Sequence, residues 1–388
     1  MKKLLIAVLC LMLTGCAAPA PSDGSGPDRS VSPDIPAPSP VASSAPNGES
    51  GTPQASPETD PETAENPSAS QEPSESSLGP QNQEQIIQEL LSAMTLEEKV
   101  GQMFFVRCPE TGGAELAAQY KVGGYLLFGR DFKDKTAQQV RDDIQSYQDA
   151  SGIPLLIGTD EEGGTVVRAS SNPDLFPQRE PAPQTLFAQG GMDLILQDAR
   201  QKSMTLLDLG VNVNFAPVAD VSTDPADFIY ARSFGQDAQA TANYVAQVVG
   251  VMGEEQIGSV LKHFPGYGNN VDTHTGIALD QRPYETFQTS DFLPFQAGIQ
   301  AGADAVLVSH NIAASMDESL PASLSPTVHK VLREELGFDG VVLTDDLAMD
   351  AVMEYAQNGS AAVLAIQAGN DMVVTTDFQT QIPQVIHC

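Results

Sequence analysis

The chain has 388 residues, of which 51 are acidic and 19 are lysine or arginine, giving a net charge of −32 with histidine neutral. That balance excludes a nucleic-acid partner and a polybasic membrane patch, both of which need clustered lysine and arginine. Four cysteines are too few for a disulfide scaffold in so long a chain, while 41% hydrophobic residues are enough for one sizeable core.

At the N-terminus, Lys2 and Lys3 precede an apolar stretch from Leu4 to Leu13. A run of about ten residues is too short to span a bilayer and has the form of a secretory signal. Leu13-Thr14-Gly15-Cys16 resembles a bacterial lipobox, in which Cys16 becomes the lipidated first residue of the mature chain. Residues 1–16 are therefore read as a lipoprotein signal, and the protein as exported and held by lipid to the outer face of the cell membrane. Residues 17–83 contain 14 of the 28 prolines and ten acidic residues against one basic residue, Arg29. This composition cannot bury enough surface to offset its chain entropy, so the segment is read as a disordered tether.

The folded part is expected over residues 84–388. Thr95-Leu96-Glu97-Glu98 is a capping box that opens a helix. Short β-rich runs then recur at Phe104–Arg107, Gly123–Phe128, Pro154–Thr159, Val211–Pro217, Ser259–His263, Ala305–His310, Gly340–Thr344 and Asp371–Thr375. Helical patterns lie between most of them, among them Ala137–Ala150, Asp198–Leu209 and Ala240–Glu254. Eight strands alternating with helices over roughly 290 residues give the arithmetic of an α/β fold of the (β/α)₈ TIM-barrel type. A doubly wound sheet is the alternative, but no Gly-x-Gly-x-x-Gly follows the first strand. Only twelve residues follow Thr376, Pro383 among them, too few for a full eighth helix; the chain reads as a shortened barrel. Cys108, after the apolar run Met103 to Val106, is expected to be a buried thiol and not a nucleophile.

In such a barrel, function sits at the C-terminal ends of the strands. Polar residues are concentrated there: Asp160-Glu161-Glu162-Gly163-Gly164 after the third strand, Lys262-His263-Phe264-Pro265-Gly266 and Asp272-Thr273-His274 after the fifth, Ser309-His310-Asn311 after the sixth and Thr344-Asp345-Asp346 after the seventh. Four of the five histidines fall at or after position 263 and before 330. Gly163, Gly164, Gly266 and Gly268 suit tight turns. They do not form a phosphate loop, since no Gly-Lys-Ser/Thr follows.

These segments resemble family 3 glycoside hydrolases of the β-N-acetylhexosaminidase branch. The resemblance also takes in Asn214-Phe215-Ala216-Pro217-Val218-Ala219-Asp220, Arg232-Ser233-Phe234-Gly235 and Thr344-Asp345-Asp346-Leu347-Ala348-Met349, and it runs in the family's order from about residue 90 to 376. It implies a (β/α)₈ barrel, in agreement with the strand count. It also implies a retaining exo-β-N-acetylhexosaminidase that releases terminal N-acetylglucosamine from peptidoglycan fragments or related glycans.

Retaining hydrolysis needs a nucleophile on one face of the sugar and a proton donor on the other. Asp345 matches the family's nucleophile; Asp346 is its rival, since strand side chains alternate and only one of the two can face the mouth. The branch resembles a departure in which a loop histidine replaces the usual carboxylic acid. His274 matches that position and Asp272 its partner, which would orient the imidazole and stabilise its protonated form. By the same resemblance Asp160, Arg168, Arg232, Lys262 and His263 contact the terminal sugar. A structural salt bridge is the alternative for Arg168, eight residues beyond Asp160. Lys262 and His263 are adjacent and would point opposite ways in a regular strand, so the strand end must be irregular if both bind. Asp220 and His310 are placed behind these groups. No cofactor and no metal are implied, and the expected partners are a carbohydrate substrate and the membrane that holds the Cys16 lipid, with a monomeric chain. A β-glucosidase or xylosidase, an N-acetylglucosaminide phosphorylase, and an inactive truncated barrel or glycan-binding lipoprotein are the alternatives.

Overall fold

A computed structural model describes residues 80–388 apart from 271–277, 350, 351, 353, 354 and 356–359. Two helices come first, Pro80–Ala93 and Leu96–Gln102. The second opens on the expected capping box: the Glu98 amide donates to Thr95 Oγ1 at 3.2 Å, and the Thr95 amide donates to the Glu98 carboxylate at 2.9 Å.

Eight parallel strands follow: β1 (Phe104–Arg107), β2 (Gly124–Leu127), β3 (Leu156–Thr159), β4 (Val213–Asn214), β5 (Gly258–Phe264), β6 (Ala305–Val308), β7 (Val341–Thr344) and β8 (Val373–Thr375). Their order in the sheet is β8-β1-β2-β3-β4-β5-β6-β7. A single parallel bridge, Leu343 to Met372, joins β7 to β8 and brings the barrel round. Each strand leads into a helix: α1 (Gly113–Tyr120), α2 (Ala137–Ala150), α3 (Pro183–Asp208), α4 (Ala238–Glu254), α5 (Phe292–Gln300), α6 (Pro326–Lys330, continued as a wider turn to Glu335), α7 (Ala361–Ala368) and α8 (Phe378–Ile386).

The two-residue period of a strand sorts its side chains. One set fills the barrel: Phe105, Leu126, Phe215, Val260, Leu307 and Leu343 with their neighbours. The other set, such as Phe104, Val106, Ile157, Leu261 and Val342, packs under the helices. Gly158 makes room inside. A Cβ there would stand 2.7 Å from the Phe105 ring and 2.8 Å from that of Phe215, two rings whose centroids lie 5.2 Å apart.

Two helices depart from the sequence pattern. α3 begins fifteen residues before the expected Asp198 and contains a break at Gly191, whose φ of 66° interrupts the helix. The last helix, for which there seemed too little chain, forms nine residues long with Pro383 inside it. It buries Phe378 and Ile382, and the Phe378 ring meets Tyr120 edge-on at 5.4 Å. Apolar packing holds it although proline removes one helical hydrogen bond.

Cys108 is buried as expected, and burial pushes its thiol up to about 12. The N-terminal end of the barrel holds an apolar cavity of ≈ 330 Å³, lined by Phe105, Leu156, Val213, Phe215, Val341 and Met372 among others. Its lining has few polar groups and none of the residues expected to carry chemistry.

Candidate active site at the barrel mouth

The segment after β3 divides its three acidic residues by direction. Glu161 is fully buried, and its Oε2 accepts the amides of Arg168 and Ala169 at 2.9 and 2.7 Å. The Asn214 side chain clasps the Glu161 backbone from β4, accepting its amide at 3.0 Å and donating to its carbonyl at 3.1 Å. Glu161 thus fixes the path of the chain. Gly163 and Gly164, with φ of 99° and 65°, let that chain turn back under Pro181 and Ala182.

Asp160 and Glu162 point into the mouth, where β5 meets them. Lys262 Nζ lies 2.7 Å from Asp160 Oδ1 and 2.6 Å from Glu162 Oε1. The Arg232 fork grips the same Glu162 carboxylate, Nε donating to Oε2 at 3.0 Å and an Nη to Oε1 at 2.8 Å. Burial alone would push the Glu162 carboxyl up; Lys262 and Arg232 outweigh it and hold the group below the usual carboxylate range. At the outer end of the network an Nη of Arg168 lies 3.4 Å from Asp160 Oδ2.

Lys262 and His263 both reach the network. The Lys262–His263 peptide is cis, and the register of β5 against β6 shifts between Leu261 and Phe264. His263 Nε2 lies 3.0 Å from an Arg232 Nη, and His263 Nδ1 lies 2.7 Å from Asp220 Oδ2. Arginine can only donate, so Nε2 is assigned the lone pair and Nδ1 the proton given to Asp220. Asp220 also accepts the amides of His263 and Tyr267, at 3.1 and 2.7 Å. It stands behind His263, as expected.

At the end of β7, the Asp345 amide donates to Val308 O at 3.0 Å and its Oδ1 accepts the Asp346 amide at 2.8 Å. Asp346 turns the other way, toward the end of β8, where its carboxylate accepts from Thr376. His310 is fully buried; its Nδ1 lies 2.7 Å from Ser323 Oγ and its Nε2 3.1 Å from Asp346 O, so it supports the backbone after β7. Asp272 and His274 lie outside the described residues.

Asp160, Arg168, Arg232, Lys262 and His263 therefore belong to one hydrogen-bonded network. Glu162 is the member that sequence reasoning passed over, although it joins two of these groups, Lys262 and Arg232. Its only sequence signal was its place in the acidic run before Gly163.

A barrel of this topology carrying this network matches the family model for the glycosyl hydrolase family 3 N terminal domain over residues 95–387. The chain belongs to glycosyl hydrolase family 3. A beta-hexosaminidase of Stenotrophomonas maltophilia (strain R551-3) is 36% identical over 275 residues, which are 68% of this chain and 80% of the relative. Among solved structures, a family 3 β-N-acetylglucosaminidase from Paenibacillus sp. str. FPU-7 aligns with a TM-score of 0.69 at 30% identity. That alignment covers 76% of this chain but 58% of the Paenibacillus chain, so this chain spans somewhat over half of that protein's length. A β-N-acetylhexosaminidase from Beutenbergia cavernae aligns with a TM-score of 0.65 at 28% identity, over 76% of this chain and 90% of that one. In this family 3 barrel, Asp160, Glu162 and Asp220 balance Arg168, Lys262 and Arg232 around a neutral His263. Such a set can exchange hydrogen bonds with hydroxyl groups without a change of charge.

Proposed function

We propose that the chain is a retaining, exo-acting β-N-acetylhexosaminidase that removes terminal N-acetylglucosamine from β-linked glycans such as peptidoglycan fragments. The observation that carries this reading is the network through Glu162, which brings Lys262, Arg232, Asp160 and His263 to the mouth occupied by catalytic groups in barrels of this kind. The activity named for the Stenotrophomonas and Paenibacillus relatives supports it.

In the proposed mechanism, Asp160, Arg168, Arg232, Lys262 and His263 hold the hydroxyls of the terminal sugar. An Asp345 carboxylate oxygen forms a bond to the anomeric carbon as the glycosidic bond breaks, and His274, oriented by Asp272, gives its proton to the leaving oxygen. Water then attacks the same carbon and passes a proton to His274, which restores the Asp345 carboxylate. Asp345 is favoured over Asp346 because the Asp346 carboxylate is engaged by Thr376. The lipobox cysteine Cys16 and the tether that follows it, which ends by the helix opening at Pro80, would hold a monomeric enzyme at the outer face of the membrane.

The test is p-nitrophenol release from the β-N-acetylglucosaminide and from the β-glucoside. A strong preference for the N-acetylglucosaminide is expected. A preference for the glucoside would overturn the substrate, and loss of neither activity in Asp345→Asn would overturn the nucleophile.

A further inference from the structure

The turn that follows β5 is seated on a second cluster of charges, which the mechanism above does not use. Its centre is Arg282. The guanidinium Nε lies 3.0 Å from both oxygens of Asp280, one Nη lies 2.9 Å from Asp291 Oδ2, and the other lies 3.4 Å from Gly266 O. One face of the fork rests on the Phe287 ring, 4.5 Å from its centroid. Asp280 and Asp291 are both buried, and among the described residues Arg282 is their shared cation.

The two carboxylates come from separate stretches of chain. Asp280 ends a two-residue strand, Leu279–Asp280, that pairs with Ile312–Ala313, while Asp291 closes the wide turn Phe287–Asp291 that leads into α5. The β5 turn packs on the cluster with no room for a side chain: a Cβ on Gly266 would collide with Asp291 Oδ1, and one on Gly268 with the Arg282 guanidinium. Between these glycines the Tyr267 amide donates to Asp220 Oδ1 at 2.7 Å, and the Gly266 amide donates to His263 O at 2.8 Å. Asn270 Nδ2 donates to Asp280 Oδ2 and to Tyr267 O, each at 2.8 Å. Residues 271–277 leave the described chain at Asn270 and rejoin it at Ala278, two residues before Asp280. The cluster thus braces the chain on both sides of them.

We propose that Arg282 is a positioning residue for the reaction: bound across Asp280 and Asp291, it holds the Gly266–Gly268 turn against Asp220 and fixes the two ends of the segment that carries His274. This rests on the glycosidase reading above. An arginine suits the task because its planar fork can bind two carboxylates at once, which the point charge of a lysine does less well. Without it, two buried carboxylates lose their counter-charge, and the turn must shift to let water reach them. A displacement of about 1 Å at the reacting groups is enough to cost about a hundredfold in rate.

The experiment uses the full chain and two substrates: N,N′-diacetylchitobiose, whose leaving sugar needs a proton, and dinitrophenyl β-N-acetylglucosaminide, whose leaving group does not. Arg282→Gln should lower kcat/KM on chitobiose by about a hundredfold and on the aryl glycoside far less. A loss of folded protein alone would lower both alike. Arg282→Lys should recover part of the chitobiose rate. The double variant Arg282→Gln/Asp291→Asn keeps the net charge of the cluster while removing the bridge, and should show the same split. Equal losses on the two substrates in both variants, or no loss on either, would overturn the proposal. Hydrogen exchange gives a readout that needs no turnover: the Gly266 and Tyr267 amides should exchange faster by about tenfold or more in both variants, with the amides of β1 to β4 unchanged. Unaltered exchange at Gly266 and Tyr267 would likewise overturn it. Failure of the unmodified protein to cleave either substrate would count against the glycosidase reading alone, and the exchange measurement would then decide on Arg282.

Discussion

The Asp346 carboxylate accepts the Thr376 hydroxyl at 2.8 Å and the Thr376 amide at 3.2 Å, linking the end of β7 to the end of β8. It does so where the barrel ladder is thinnest, since β7 and β8 share one bridge, Leu343 to Met372. The two adjacent aspartates thus divide in their expected effects. Asp346→Ala should lower stability by about 0.5–1.5 kcal/mol, the net worth of an ordinary hydrogen bond, since Thr376 is exposed and can turn to water, measured by thermal or urea denaturation. Asp345→Asn should leave the denaturation midpoint near that of the unmodified protein while lowering turnover by roughly a thousandfold or more. The reverse pattern would exchange their roles.

Glu162 should matter to both stability and binding. Its carboxyl titrates lower in the folded chain than in the unfolded one. Its contribution is therefore fully present above the ordinary carboxylate range and is lost as pH falls toward the folded value. Glu162→Gln would leave Lys262 and Arg232 buried with less counter-charge, at a cost of about 3 kcal/mol near neutral pH. The unmodified protein should lose stability more steeply than this variant below about pH 4. Parallel acid-unfolding curves would contradict the assignment.

Glu180 behaves in the opposite sense. Burial pushes its carboxyl up to about 8, and the charge of Lys202, with Nζ 3.5 Å from Oε2, only partly offsets it. Because the folded value lies above the unfolded one, the associated stability is fully present below the unfolded value, falls as pH rises, and is gone above about 8. Glu180→Gln should flatten the decline in stability between about pH 5 and 8. Denaturation midpoints across that interval would show whether the slope changes.

Gly158→Ala would place a methyl group against the Phe105 and Phe215 rings, at the 2.7 and 2.8 Å separations that no carbon contact tolerates. One or both rings must shift, at about 1–3 kcal/mol for an overpacked core. A lowered melting temperature is the expected result, and an unchanged one would mean that the interior yields more easily than its packing suggests.

The pattern of apolar residues was enough to locate β1 and α2 at their observed ends, because β1 is a brief apolar run and α2 is an amphipathic segment opened by the Thr136 capping box. α3 was read too short because Gly190-Gly191 interrupts the helical pattern, and only packing shows that the chain is helical on both sides. α8 was missed as a helix because a proline in a short terminal segment argues against one, while the burial of Phe378 and Ile382 decides for it. At the mouth, it was the family resemblance of the strand-end motifs that singled out Asp160, Arg168, Arg232, Lys262 and His263, which the fold then brings into one network. Glu162 was not legible, because a carboxylate that holds two cations is defined by where β4 and β5 end and not by its neighbours in sequence.

The internal charge balance of the six-residue network at the mouth has a consequence for the fold that carries it. Asp160, Glu162, Asp220, Arg168, Lys262 and Arg232 are largely shielded from water before any sugar arrives, so the loss of their hydration is met while the chain folds. That cost does not recur at each turnover for these six side chains, which already hold one another in place. The weak point of the molecule and its working end are then the same place. Substituting the cluster with apolar side chains of similar volume should yield a firmer barrel and an idle one.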